Sequence, residues 1–285
     1  MLDLIFSGLV KNSLTTLKKN IDFLAEFKAK YPELNITLLV MESDSVDGTK
    51  DFLKTLNYDW IDSYTEDRLD EKFNYRTEKI AYCRNFLLKK INLKNYKKAI
   101  YIPVDLDIKI FEYIEIKYFY DLIIEFTKNP NIDALFPYGY PYYYDLHALR
   151  AHNWNTKSPW ELVNKINKFT PIGKFFSRYF FVYRKQKKYK DIKKLLPVES
   201  AFGGIGLYKI DSKLLQKAYY SIDVNLGNHS CEHVVFNEFF NKKFIDCKWR
   251  VPSPIEHIEF KLLNNRKKII YISNSIKSDF KNLIT

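Results

Sequence analysis

Apolar positions follow two rhythms along this chain. Continuous apolar runs of strand length, "DLIFSGL", "NITLLVM", "YDWIDSY", "AIYIPV" and "NIDALFPYG", alternate with stretches whose apolar residues recur at helical spacing. The first such stretch, "SLTTLKKNIDFLAEFKAKY", sets Leu14, Leu17, Ile21 and Leu24 on one face behind Ser13, a predicted N-cap. "KDFLKTL", "RTEKIAYCRNFLLKKI" and "YFYDLIIEF" supply further helices, the middle one with Ile80, Leu87 and Ile91 on its apolar face. A strand that is apolar throughout must be buried on both sides. The alternation therefore predicts an α/β fold, a mostly parallel sheet with helices on both faces.

The regularity stops near residue 140. "YPYYYDLHALRAHNW" and "FTPIGKFFSRYFFVYRKQKKYKDIKK" mix aromatic and basic residues without a clean period and predict loops and short helices. Order returns with the strand "GGIGLYKI", the helices "SKLLQKAYY" and "EHVVFNEFF", the strand "FIDCKWRV" and a basic tail. No internal repeat and no Pro/Gly/Ser linker interrupts the chain. Residues 1–285 are expected as one domain with an elaborated second half.

Composition narrows the partners. A hydrophobic content of 46% over 285 residues is enough for a large core and argues against disorder. The net charge of +12 favours anionic partners, whether nucleotides, nucleic acid, acidic glycans or a phospholipid surface. Cys83, Cys231 and Cys247 form neither a closed pairing set nor a zinc-like pattern, so reduced thiols in the cytoplasm are expected. Asp3 breaks the first apolar run, which reads as a strand and not a signal peptide. No uncharged run is long enough to span a bilayer, so membrane association would be peripheral.

The chemistry gathers at strand ends. "AIYIPVDLDI" closes a buried strand with Asp105 and Asp107, one residue apart and so on the same face. Two carboxylates so placed suit a hard divalent cation, Mn²⁺ or Mg²⁺, shared with a substrate diphosphate; a pair of solvated acids is the plainer meaning. "MESDSVDGTK" follows the second strand with Glu42, Asp44 and Asp47 in a turn. Asp47 or Thr49 there can cap the next helix, whereas Asp44 is placed to accept hydrogen bonds from a nucleobase or ribose. Arg84 lies beside the apolar stripe of its helix and so faces the sheet. It needs an acidic partner, Asp44 or Asp105, or a phosphate. Gly203 and Gly204 fit neither a P-loop nor a dinucleotide fingerprint but allow close backbone approach to a ligand.

"NHSCEHVVFNEFF" starts a helix with Ser230 as the predicted N-cap. Glu232 and His233 in its first turn are candidate catalytic groups, with a helix-dipole partner and a surface histidine as the plain alternatives. His257 is a further candidate metal ligand. The basic aromatic run from Phe175 to Lys194 reads as a solvated loop, a Lys-coated helix, a single-strand nucleic-acid surface or a peripheral contact with an anionic membrane.

Taken in order, "SGLVKN", "ESDSVDGT", "IAYCRNFLL" and "VDLD" resemble the GT-A glycosyltransferases that use nucleotide-sugar donors. "ESDSVDGT" and "CRN" are similar to the cryptococcal capsular mannosyltransferase family, and more loosely to the family containing cellulose and hyaluronan synthases. The resemblance covers about the first 140 residues and implies a Rossmann-like GT-A domain. Its nucleotide-sugar half would be residues 1–140 and its acceptor half residues 141–285. It further implies that Glu42 and Asp44 contact the donor base or ribose, that Arg84 and Asp105 lie by the nucleotide, and that Asp107 with Asp105 engages the metal and diphosphate. "SCEH" is similar to the paired-acid helix start whose second acid is the base in inverting members, but His233 stands in that second place.

The expectation is a metal-dependent enzyme moving a sugar from a nucleoside-diphosphate sugar to a glycan or glycolipid hydroxyl, with no nucleic-acid partner. Glu232 is the expected base if configuration inverts. The rival readings are a nucleotidyltransferase or metal nuclease acting through Asp105 and Asp107, and a non-catalytic nucleic-acid-binding module.

Overall fold

Strand and helix alternate as the apolar rhythm requires. The computed structural model describes residues 1–92, 96–169, 174–187 and 195–284. Its first half runs β1 (Leu2–Val10), α1 (Leu14–Lys30), β2 (Leu34–Glu42), α2 (Thr49–Thr55), β3 (Ile61–Thr65), α3 (Leu69–Lys72), α4 (Arg76–Asn92), β4 (Ala99–Asp105), α5 (Ile116–Lys128) and β5 (Ala134–Tyr140). The second half adds α6 (Pro159–Phe169), α7 (Lys174–Arg178) extended by a π-helical turn (Tyr179–Tyr183), β6 (Leu195–Pro197) and β7 (Leu207–Ile210). It closes with α8 (Ser212–Leu215), α9 (Glu232–Asn237), β8 (Lys243–Pro252), α10 (Ile255–Leu262) and α11 (Asn265–Ile284).

The strands form one eight-stranded sheet in the order β3-β2-β1-β4-β7-β5-β8-β6. β3, β2, β1 and β4 are mutually parallel, as are β5 and β8, while β7 runs antiparallel between β4 and β5, and β6 antiparallel to β8. Three strands of the second half thus complete the sheet begun by the first. From β1 the chain winds outward through β2 to β3, then returns past β1 to place β4 on its other side. Strand order therefore reverses between β1 and β4, which opens a crevice beyond their carboxyl ends.

The α/β class with helices on both faces is as expected, and the two-residue strand period shows why. Leu4, Phe6, Leu38, Val40, Ile100 and Ile102 enter one core with α1 and α5. Ile5, Leu39, Met41, Ala99 and Tyr101, one position out of phase, enter the other with α4 and α9. An aromatic nucleus stiffens the first core: Phe119 packs on Phe6, Phe27, Phe111 and Trp249 at ring separations of 5.3–6.5 Å.

Several local expectations change. Ser13 occupies the N-cap of α1, but its hydroxyl donates to the Lys11 carbonyl; the cap is Asp47, whose Oδ2 accepts from Leu14 N at 3.0 Å. Asp47 Oδ1 also accepts from Thr49 N at 3.1 Å, so one carboxylate holds the starts of α1 and α2. Ser230 does not cap α9, because its hydroxyl accepts from Asp223 N and Cys231 takes the N-cap position. The helix expected over "SKLLQKAYY" is confined to α8, and the basic tail is α11. The last part of the basic aromatic run, 188–194, lies outside the described residues. The three cysteines are buried and form no disulfide. No helix among the described residues is long and apolar enough to cross a membrane.

Candidate active site

Beyond the carboxyl ends of β1 and β4 lies a cleft of about 670 Å³. Asp105 is the last residue of β4 and pairs in register with Leu9 of β1. Alternation from the buried Tyr101 puts its side chain on the α4 face of the sheet. Its N–H donates to the Gly204 carbonyl at 2.8 Å, a close approach made where Gly203 and Gly204 both adopt positive φ. The chain then turns: Leu106 packs over Gly8, and Asn20 of α1 donates to the carbonyls of Leu106 and Ile108 at 3.1 and 2.9 Å. Asp107 follows, exposed and lining the cleft beside Asp105.

Arg84 is the cation behind this pair. Thr77, Ala81, Arg84, Leu88 and Ile91 form the buried stripe of α4, spaced at alternate intervals of four and three residues. At 3% exposure, the guanidinium donates from Nη2 to Asp105 Oδ1 at 2.8 Å and from Nε to Glu232 Oε1 at 3.1 Å. Nη1 has no protein partner, and the group packs near the rings of Phe202 and Tyr220. Asp105 remains 28% exposed toward the cleft. Burial pushes its carboxyl up to about 7 against the pull of Arg84, with the charges of Asp107 and Glu232 adding to the rise. Asp107, although its side chain reaches solvent, is raised too by partial desolvation between the cleft walls, against the opposing field of Arg76.

Glu232 opens α9 at the cleft wall, joined to Arg84 through one oxygen. His233 beside it is a buried residue and not a surface one. Its ring stacks on Phe202 at 3.6 Å and meets Tyr220 edge-on, with Nε2 3.5 Å from Glu232 Oε1. Burial, reinforced by Arg84, holds this imidazole neutral, well below the ordinary histidine range.

The remaining predicted residues occupy separate places. Glu42 ends β2 fully buried; Oε1 accepts from Ser45 N at 2.9 Å and Oε2 has no partner. Asp44, at positive φ, accepts from Arg68 N and Asp70 N and so caps α3. Neither lines the cleft, although Ser43 between them does. His257 lines the far wall, stacked on Tyr144 at 5.6 Å. Among the described residues, no three His, Cys, Asp or Glu side chains converge to hold a metal ion, so His257 does not close a ligand set with Asp105 and Asp107.

No protein-family model matches the chain, and no curated protein matches it. Solved structures do show likeness. The S. aureus TarS 1–349 structure is similar at 12% identity, with 98% of this chain and 65% of that chain covered and a TM-score of 0.48. Mannosyl-3-phosphoglycerate synthase from Rubrobacter xylanophilus is similar at 13% identity over 99% of this chain and 74% of that one, TM-score 0.43. A mannosyltransferase from Pyrobaculum calidifontis, in complex with GDP-Man and Mn²⁺, is similar at 15% identity over 48% of this chain and 36% of its own, TM-score 0.35. The chain therefore spans just under two thirds of the TarS structure and about one third of the mannosyltransferase.

Sequence reading missed part of the cleft. The segment after β5 contributes Tyr144, Asp145 and His147. Asp145 Oδ2 accepts from Gly203 N at 2.8 Å, which fixes the Gly-Gly turn against Asp105. His147 is hydrogen-bonded to the Ser230 backbone, and its Nε2 is buried without a hydrogen-bond partner. Arg76 at the start of α4 and Arg178 of α7 also line the cleft. Only "YYYDLH", one acid and a histidine inside an aromatic run, signalled this segment, and nothing in it gave the distance from β4.

Proposed function

We propose that this chain is a GT-A glycosyltransferase that moves a sugar from a nucleoside-diphosphate sugar to a hydroxyl of a glycan or glycolipid. The observation that carries the reading is the Asp105–Asp107 pair at the β1–β4 crevice, fixed from behind by Arg84 and open to a cleft of donor size. Two carboxylates one residue apart, both lining the cleft and Asp107 exposed in it, form an oxygen donor set that fits Mn²⁺ or Mg²⁺. Asp105 and Asp107 would hold it. Such an ion, when bound, neutralises charge on the departing diphosphate and takes its remaining ligands from donor oxygens and water.

The chain's own residues divide the rest. Arg84 holds Asp105 in place and links it to Glu232, so the nucleotide side and α9 are joined through one guanidinium. Arg76 adds positive charge facing Asp107. Glu42 pins the turn after β2 and Asp44 the start of α3, which shapes the nucleoside end of the cleft. Glu232, in the cleft wall and engaged by Arg84 through one oxygen only, is the base proposed for the proton of the acceptor hydroxyl.

The nucleotidyltransferase reading is weaker, because Glu42 and Asp44 would have to join a two-metal site and both are committed to backbone N–H groups away from the cleft. Titration calorimetry with UDP and GDP, with and without Mn²⁺, tests the proposal. Mn²⁺-dependent binding of one nucleotide is expected, weakened at least tenfold by Asp107→Asn. Binding that ignores both Mn²⁺ and Asp107→Asn would overturn it.

A further inference from the structure

Cationic side chains are distributed unevenly between the two ends of this molecule. In the first half, Lys11, Lys50, Lys54, Arg68, Lys72, Lys79, Arg84, Lys109 and Lys117 each lie within 4.0 Å of a carboxylate, while others, Lys18, Lys28 and Arg76 among them, do not. Among the described residues of segments 174–187 and 255–284, no Lys or Arg does. Arg184, Lys261 and Lys268 instead lie over aromatic rings, and Arg178, Arg266 and Lys267 have no carboxylate partner. These two segments carry eleven Lys and Arg against three acids, a net +8 of the chain's +12.

The two segments pack together. Phe175, Tyr179 and Tyr183 of α7 and its π-helical extension meet Phe260 of α10, and Phe175 and Phe260 both meet Tyr271 of α11. With that side satisfied, other apolar side chains face water. Phe176 and Phe180, four residues apart, are 48% and 50% exposed; Ile269 and Ile270 are 68% and 53% exposed, and Leu262 is 50% exposed. Unneutralised positive charge and exposed apolar side chains on a helical layer match an anionic interface with an acyl boundary below it. Nucleic acid would engage aromatic rings and charge, but it has no use for Leu262, Ile269 and Ile270, which cannot stack on a base.

We propose that α7, α10 and α11 form a docking platform for an anionic phospholipid bilayer. The contact stands apart from the sugar-transfer reading. Its bearing on function follows from position: Arg178, Tyr183, His257 and Tyr271 of this platform also line the cleft, so docking holds the cleft mouth at the lipid surface, where a membrane-borne acceptor would be presented.

Vesicle co-sedimentation of the full chain tests this. Equimolar phosphatidylcholine and phosphatidylglycerol vesicles should bind the protein at low salt and release it as salt rises; pure phosphatidylcholine vesicles should bind far less. Reversal of three charges, R266E/K267E/K268E, should weaken binding by on the order of 100-fold, from about fivefold per cation. Separately, F176S/F180S should weaken binding that survives at high salt. Both variants alter exposed side chains apart from the half-buried Lys268, and an unchanged melting temperature confirms that they fold. Absence of binding to the anionic vesicles, wild-type binding by both variants, or tighter binding to a single-stranded oligonucleotide than to the anionic vesicles at the same salt would each overturn the proposal. Nucleotide binding in solution reports on the sugar-transfer reading independently of all three outcomes.

Discussion

Arg84→Met removes the cation that two buried carboxylates share and keeps most of the side-chain volume. Asp105 and Glu232 then face each other, with Asp107 nearby, and no guanidinium between them. Breaking a buried ion pair by removing one partner costs about 3–5 kcal/mol, because the remaining charge stays desolvated. For 285 residues the unfolding entropy is about 0.6 kcal/mol/K, so the expected fall in Tm is roughly 5–8 °C.

The pH dependence makes the test specific. Asp105 is raised from 3.8 to about 7, so the folded state binds this proton more tightly than the unfolded state does. Its contribution to stability is full below the unfolded value near 3.8 and is lost as pH rises through about 7. Without Arg84, the opposing cation is gone and the Asp105 carboxyl rises further. The variant should therefore be most deficient at pH 8 and recover about 1–2 kcal/mol of its deficit at pH 5, where the folded variant carries the proton. Urea titrations followed by tryptophan fluorescence at both pH values measure this. A loss below about 1 kcal/mol at pH 8, or one that is equal at pH 5, would refute a charge-based role for Arg84.

Three further predictions concern the frame around the site. Gly8→Ala places a methyl group against Leu106 within van der Waals contact and near the Val104 carbonyl. It should cost about 1–3 kcal/mol by overpacking, and nucleotide affinity should fall with it because Leu106 lies between Asp105 and Asp107. Phe119→Ala empties the centre of the aromatic nucleus and should cost about 3–5 kcal/mol in a urea titration. Asp47→Ala removes the shared cap of α1 and α2, for about 1–2 kcal/mol at neutral pH. The Thr49 hydroxyl and the Leu14 N–H hold this carboxyl below 3.8, so its contribution is present above that value and is lost as pH falls through the lowered one. Wild type and variant should converge in strong acid.

Much of the scaffold was legible in the chain. A buried strand needs apolar side chains on both faces, and a packed helix needs a stripe every three or four residues. These local demands wrote β1 to β5, α1, α4 and α5 into the sequence, and they put Arg84 on the inward stripe. The same reasoning placed Asp105 and Asp107 at the open end of a strand.

Partners separated along the chain were not legible. Capping is one case: Ser13 sits at the N-cap of α1, yet the Asp47 carboxylate from another loop caps Leu14, and the Ser230 hydroxyl is turned to Asp223 N while Cys231 takes the N-cap position of α9. Asn20 is another, an amide on the buried side of a helix whose use appears only when the turn at Leu106 is seen against it. His147 belongs to an aromatic stretch with no period, and its place in the cleft wall appears only in the fold. By itself, then, the sequence determined the α/β layers, the inward Arg84 and the paired acids, since each depends on spacing within one element. The tertiary structure decided that Arg84 joins Asp105 to Glu232 across 148 positions and that His233 is sealed against Phe202. It also left the basic charge of α7, α10 and α11 unpaired. Those outcomes depend on which elements share a neighbourhood, and a hydrogen bond or an ion pair depends on distance in space and not on distance along the chain.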